Sequence, residues 1–417
     1  MTTTPVAPAD TSAEILDRYR AHLSKGRASL GEMFGGDIET GSEGAWVYTA
    51  AGRKLLNCGG YGVLIAGARH PTVVAEVERQ LHTNPVATRL LLEPQAALAA
   101  EALTAVTPAG LDKVHFAGSG AEAVEAALKM ARTHGKRHLI STVNGYHGKT
   151  FGALSVTAKD LFQEPFRPLL PDVSHVPFGD AEALREMLAA HRGNACFIVE
   201  PVQGEAGVIM PPEGYLRDVE ALCREYEAFF VLDEVQTGLG RLGQWWGADR
   251  EGVTPDVLLV GKGLSGGVVP VSAAVATKEA FTAFDKDPFI HTSTFSASPL
   301  AMAAAQGALR AIQEDDLVER SRVLGERLIA ELGRIARAAL GDLLLEVRGA
   351  GLLIGIEFTE PGLAGDLLLE LLHEGVVANH SLNSHMVLRL TPPAVLTEDD
   401  VAFLLAAFER SVTAIAY

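Results

Sequence analysis

From residue 71 to about 310 the sequence alternates segments of helical period with short runs that are apolar on both faces. Five of these runs are "VHFAG" (114–118), "RHLIS" (137–141), "CFIVE" (196–200), "AFFVLD" (228–233) and "DVLLVG" (256–261). A strand with two apolar faces has to be covered on both sides, and helices between such strands form the crossovers of a parallel sheet. The pattern predicts a large α/β domain with a mostly parallel sheet over residues 71–310.

The flanks read differently. Residues 12–24 have the spacing of an amphipathic helix, and Gly-rich loops with short strands fill the stretch to about 70. Beyond 310 a long helix leads into "LLEVRGAGLLIGIEF", which reads as a hairpin. The last helix is opened by Thr397 followed by Glu398, Asp399 and Asp400, a hydroxyl cap with acids at the positive end of the helix dipole. Residues 1–70 and 311–417 are expected to build one smaller α+β domain from both chain ends. No internal repeat or low-complexity block interrupts this plan.

Composition narrows the class. The chain has 417 residues, 48% of them hydrophobic, enough for a large core. No stretch reaches the roughly 20 uninterrupted apolar residues of a membrane span. The start, "MTTTPVAPAD", lacks the basic end and apolar centre of a signal peptide and reads as a short disordered tail. A net charge of -17 without a basic tract argues against a nucleic-acid partner. Cys58, Cys196 and Cys223 are odd in number and scattered, which suits a reduced cytoplasmic protein without structural zinc.

Open α/β sheets bind ligands outside the carboxyl ends of their strands, so the loops after the five runs hold the chemistry. In "FAGSGAEAVEAALKMAR", a strand passes through Gly118-Ser119-Gly120 into a helix with Ala121, Val124, Ala127, Leu128 and Ala131 on one face. Free backbone N–H groups and the helix dipole make that start an anion site. Gly118, Gly120 and Ala123 also satisfy a dinucleotide fingerprint, but the next strand, "RHLISTVNGYHG", ends without the acid that would bind a ribose. A phosphate fits better than a dinucleotide.

Two further loops carry acids. "AFFVLDEVQTGLGR" runs into Asp233, Glu234 and Gln236, and "CFIVEPVQGEAG" into Glu200, Gln203 and Glu205. Either acid after a strand can equally cap the next turn. In "VLLVGKGLSGGVVP" a single lysine, Lys262, stands among glycines at a strand end instead of on a solvated helix face. No His, Cys and carboxylate set has metal spacing, and no nucleophile elbow is present. A phosphate cradle, a buried acid and an isolated lysine together suit pyridoxal phosphate. The lysine would form the Schiff base, the acid would keep the pyridine nitrogen protonated, and the amides would take the phosphate. Confinement with little water would favour the neutral amine of Lys262.

At this point "GSGAEAVEAALK", "GYHGKTFGALS", "VEPVQGEAGV", "LDEVQTGLGR", "VGKGLSGGVVP" and "HTSTFSASPLA" stand in one order that resembles the class III (ω-amino) aminotransferases of pyridoxal-phosphate fold type I, from about residue 40 to 410. The resemblance implies pyridoxal 5′-phosphate, a homodimer or dimer of dimers with sites at the subunit boundary, and an amine donor with a 2-oxo acid acceptor. By matching position, Lys262 would carry the cofactor and shuttle the proton. Asp233 would pair with the ring nitrogen, Gln236 would contact the phenolic oxygen, and Tyr146 would stack on the ring. Ser119, Gly120 and Ala121 would bind the phosphate, while Ser293 and Thr294 would reach the phosphate of the neighbouring subunit. Glu205 and Arg389 resemble the family's switch pair, in which the arginine binds a substrate carboxylate and the glutamate masks it. Lys149 and Tyr61 would complete the substrate pocket.

Two departures bear on the donor. Acetylornithine and ornithine enzymes commonly have Arg where Lys149 stands, and the run from "YHGKTFGALSVTAK" onward looks closer to putrescine aminotransferases. Ser296, Ala297 and Ser298 replace the usual Gly-Gly-Asn. The expected reaction is transfer from an ω-amine or diamine to 2-oxoglutarate. An acetylornithine or ornithine enzyme, a racemase or aminomutase of the same fold, and a nicotinamide dehydrogenase are the competing readings. A non-catalytic binding protein would have no use for Lys262.

Overall fold

The computed structural model describes residues 11–416, so the tail expected over 1–10 lies outside it. The first helix is Ser12–Arg18, with a capping box between Thr11 and Glu14. The helix expected over 12–24 is present, its last turn, Tyr19–Leu23, of π type. Ser24 then turns extended, its hydroxyl accepting the Arg27 N–H to start a second helix, Lys25–Met33. A serine that caps a new helix competes with continuing the old one.

Three antiparallel strands follow: β1 (Glu39–Glu43), β2 (Trp46–Thr49) and β3 (Lys54–Asn57). The central sheet has seven strands: β4 (Leu111–Ala117), β5 (His138–Thr142), β6 (Val173–Val176), β7 (Ala195–Val199), β8 (Phe229–Asp233), β9 (Val257–Val260) and β10 (Ser272–Thr277). Their spatial order is β4-β10-β9-β8-β7-β5-β6. Six run parallel and β10 runs against both of its neighbours. The sheet is mostly parallel, as expected, and β10 is its one reversed strand. The 261–271 loop that feeds it is too short for a helical crossover, so the chain turns straight back. Its sequence, "SAAVAT", is also too small and Ala-rich to announce a strand.

Every residue of β7, β8 and β9 is buried. The helix Gly120–Thr133 lies on this sheet and buries Ala123, Val124, Ala126, Ala127, Leu128, Met130 and Ala131. Each fully buried Val, Leu, Ile or Phe contributes about 1.5–3 kcal/mol, which is why the strand ends beneath the loops stay fixed.

After the helices Pro299–Glu314 and Leu317–Leu340 come β11 (Leu344–Ala350) and β12 (Leu353–Phe358), the expected antiparallel hairpin. They are followed by β13 (Val376–Val377), β14 (Asn379–Ser381) and β15 (Ser384–Leu390). β14 and β15 complete a sheet ordered β11-β12-β15-β14, whereas β13 joins the first sheet, pairing in parallel with β3, Val376 opposite Leu56. Thr397 and Asp400 form a full capping box on the last helix, Glu398–Ile415. The Trp46 indole N–H donates to Asp400 Oδ1 at 2.9 Å, a second tie between the two chain ends. Among the described residues no helix is long and apolar enough to cross a membrane.

Candidate active site

Lys262 sits just past the end of β9, with its backbone in the left-handed region at φ +41°. That conformation costs a non-glycine residue about 1–2 kcal/mol and persists only where the surroundings enforce it. Its Nζ donates to Gln236 Oε1 at 2.7 Å. Burial lowers the ammonium to about 8, so the neutral amine is accessible near physiological pH.

Asp233 ends β8 and is buried. Its Oδ2 lies 2.7 Å from His147 Nδ1, and its Oδ1 accepts the Val235 N–H at 3.1 Å. His147 is buried, its Nε2 has no partner, and its main-chain N–H donates to Thr157 Oγ1 at 2.9 Å. The motif "GYHG" does not reveal this contact, because a polar residue in a loop does not say which strand it faces. Glu234, the adjacent acid, serves another purpose. It accepts from the Ala248 N–H at 2.8 Å and from Thr237 Oγ1, and burial raises its carboxyl to about 7. It holds the turn Gly247–Arg250 in place and takes no part in the lysine cluster.

Ser119 caps the helix Gly120–Thr133, its Oγ accepting the Glu122 N–H at 3.3 Å. The Gly118 N–H donates to Glu122 Oε2 at 2.8 Å. Gly120 packs on Val235 so closely that a Cβ there would lie 2.9 Å from Val235 Cγ1. Gly148, at φ +120°, meets Ala121 in the same way, with a Cβ only 2.6 Å from the alanine's own. The fold thus brings 118–121, 146–148, 233–236 and 261–262 together from four separate parts of the sequence. Val235 was not singled out in the sequence, since an apolar residue in a loop carries no chemical signal.

These residues fit pyridoxal phosphate. The first-turn amides of Gly120 and Ala121 have no partner within their helix, as at every helix start. Gln236 Nε2 is buried without a partner, on the same amide whose Oε1 accepts from Lys262. A phosphate, an oxygen on a ring, a ring nitrogen and an aldehyde are the complement of that donor set.

A second constellation borders the first. Arg389, from β15, and Glu205 are both buried, with Nη1 2.8 Å from Oε1. Glu205 Oε2 also accepts the Leu382 N–H at 3.2 Å. Burial opposes charge on Glu205, but Arg389 and Lys262 outweigh it and hold the carboxyl below its ordinary value. Arg389 Nε and Nη2 have no hydrogen-bond partner. Glu200 accepts from the backbone N–H of Tyr146 at 3.0 Å and of Gly204 at 3.1 Å, and burial lifts it to about 7. Arg241, which the sequence did not single out, is buried and donates to the carbonyls of Gly62, Leu352 and Pro392. Burial lowers it to about 9.

The remaining predicted residues lie farther out. Lys149 is exposed, its Nζ 3.8 Å from the centre of the Phe162 ring and 5.9 Å from that of Tyr146. Tyr61 is exposed, at φ +54°. Ser293 and Thr294 are exposed in the wall of a cavity of about 910 Å³, with Arg89, His115 and Glu122. None of these four hydrogen-bonds to Lys262, Asp233 or Gln236 in the described chain. Ser296 Oγ donates to the Phe116 carbonyl, and Ala297 is left-handed at φ +55°.

A family model described as class-III aminotransferase matches residues 36–412. Among solved structures, the ornithine aminotransferase of Toxoplasma gondii, reported with partial pyridoxal-phosphate occupancy at its active site, superposes with a TM-score of 0.90. It has 29% identity, over 98% of this chain and 96% of that one. The acetylornithine aminotransferase of Elizabethkingia anophelis gives a TM-score of 0.85 and 31% identity, over 97% and 99%. An (S)-enantioselective omega-transaminase of Thermomicrobium roseum gives 0.89 and 25%, over 98% and 100%.

Proposed function

Since the chain belongs to the class-III aminotransferase family, we propose that it moves an amino group from an ω-amine or diamine of the putrescine type to 2-oxoglutarate, leaving an aldehyde and glutamate. The enzyme is a transaminase, and its cofactor is pyridoxal 5′-phosphate. When bound, that cofactor supplies an electron sink for the substrate carbon beside the nitrogen.

The chain's own residues would hold and orient it. Lys262 is the amine that would bind it covalently. Half neutral near pH 8, Lys262 is also a base able to take a proton from the substrate carbon and return it. Asp233, fastened by His147, would face the ring nitrogen, and Gln236 the ring oxygen. Tyr146 would stack on the ring. Ser119, Gly120 and Ala121 would take the phosphate, with Ser293 and Thr294 from a second copy of the chain completing that site. A homodimer is further supported by the exposed side chains of Phe289 and Phe295, on either side of Ser293 in the chain, and of Leu90, Leu91 and Leu92, next to Arg89, whose guanidinium donates to the Ser293 carbonyl.

The Glu205–Arg389 pair is the observation that carries the donor reading. A buried arginine masked by a carboxylate does not present its charge to the resting pocket, which suits an amine end. The same arginine, unmasked, offers a fork to the carboxylate of 2-oxoglutarate. Lys149, engaged with Phe162, offers a donor carboxylate no such fork. Ornithine or N-acetylornithine as donor is the second reading, favoured by the likeness to those aminotransferases. Specificity constants for putrescine, cadaverine, ornithine and N-acetylornithine, each with 2-oxoglutarate, separate the two. A clear win for N-acetylornithine would reverse the assignment.

A further inference from the structure

Glu205 is held at more points than its ion pair with Arg389. The strands β14 and β15 are joined by Leu382 and Asn383, and Ser381 pairs with Ser384 across that turn. The backbone N–H groups of a two-residue turn have no place in the ladder, and here both go to one residue. Leu382 N–H donates to Glu205 Oε2 at 3.2 Å, and Asn383 N–H donates to the Glu205 carbonyl at 2.9 Å. Arg389 lies on β15 of the same hairpin. One hairpin therefore grips both carboxylate oxygens of Glu205, one through a guanidinium and one through a turn amide.

The turn is itself moored. Asn383 Nδ2 donates to the Asn144 carbonyl at 2.8 Å, next to the Tyr146 loop, and Lys159 Nζ donates to the Asn383 carbonyl at 2.9 Å. Asn383 is buried and is not among the residues with positive φ. Asparagine is therefore not needed here for a left-handed turn; its side chain is needed for the bond to Asn144.

The geometry points to Asn383 as a positioning residue that latches Glu205 over Arg389 and so sets how readily the arginine is freed for a carboxylate substrate. This rests on the reading of Glu205 and Arg389 as the switch between an amine and a 2-oxo acid. Releasing Glu205 breaks the Leu382 contact together with the ion pair, and the firmness of that contact depends on the mooring of the turn. Arg389 Nε and Nη2, unpartnered while Glu205 is latched, are the groups a substrate carboxylate would satisfy.

The test uses the holoenzyme and glutarate, a dicarboxylate without an amine or a keto group, with binding measured by calorimetry. In Asn383→Ala the latch loses one buried hydrogen bond, and glutarate should bind about three- to tenfold more tightly. Lys159→Met loosens the same turn from outside and should shift affinity in the same direction, with less risk to folding. General damage to the fold would weaken binding, so the sign of the change is diagnostic. Glutarate affinity that is unchanged or lower in both variants overturns the latch. Glu205→Gln separates the two levels of the argument. If it tightens glutarate binding while the turn variants do not, the switch stands and the latch fails. If it leaves affinity unchanged, both fail.

Discussion

His147 Nδ1 lies 2.7 Å from Asp233 Oδ2, in a pair sealed from solvent at the carboxyl end of β8. The histidine comes from a loop after β5, two strands away in the sheet, and its backbone is tied to Thr157. Orientation of the acid is thus enforced from outside its own strand. We expect Asp233→Asn to lower kcat by roughly a hundredfold or more, because a neutral amide cannot hold a ring nitrogen protonated. His147→Phe should keep the volume but remove a charge-assisted bond, lowering kcat by about ten- to a hundredfold. Steady-state rates at saturating cofactor and substrates decide this, and near-normal turnover in Asp233→Asn would reduce the acid to a turn cap.

Lys262→Ala should lower turnover by at least about a thousandfold while the far-ultraviolet dichroism stays native. The wild-type amine has its pKa lowered to about 8 by burial, so its neutral, nucleophilic fraction rises through that pH instead of through the ordinary lysine range. Adding cofactor to the apoprotein should therefore produce visible absorbance at a rate that climbs with pH to a midpoint near 8. A midpoint near 10, or loading of the alanine variant at the wild-type rate, contradicts this.

Arg389→Ala should raise the KM for 2-oxoglutarate by about ten- to a hundredfold, since a charged bidentate contact is lost. The KM for the amine donor should stay within a factor of a few. The variant also leaves Glu205 buried without its partner, which costs about 3–5 kcal/mol when a buried pair is broken from one side. A lowered Tm with the KM change confined to the acceptor is the expected combination. Equal changes in both KM values would remove Arg389 from acceptor binding.

Ala297→Gly should stabilise the protein by about 1 kcal/mol, because Ala297 adopts φ +55° and pays the left-handed penalty that glycine escapes. Glycine is more flexible when unfolded, which offsets part of the gain. Thermal unfolding of the two proteins at equal concentration measures the difference, and a lower Tm for the glycine variant would refute it.

Periodicity alone determined the sheet of β4, β5, β7, β8 and β9, the helix over the phosphate loop and the capped terminal helix. These elements are legible because burial on both faces, or along one stripe, dictates which positions must be apolar. Chemistry at strand ends likewise marked Asp233, Gln236, Glu205 and Lys262, since a polar residue ending a buried strand stands out against its neighbours. The reversed β10 was invisible because its small side chains carry no β signal; its direction follows from the short loop that feeds it. The parallel pairing of β13 with β3, the grip of His147 on Asp233 and the fastening of Glu205 by Leu382 and Asn383 join residues far apart in the chain. Such contacts depend on how elements pack and where their turns are aimed. The tertiary structure decided them, through backbone N–H groups and ring nitrogens whose partners no local pattern encodes.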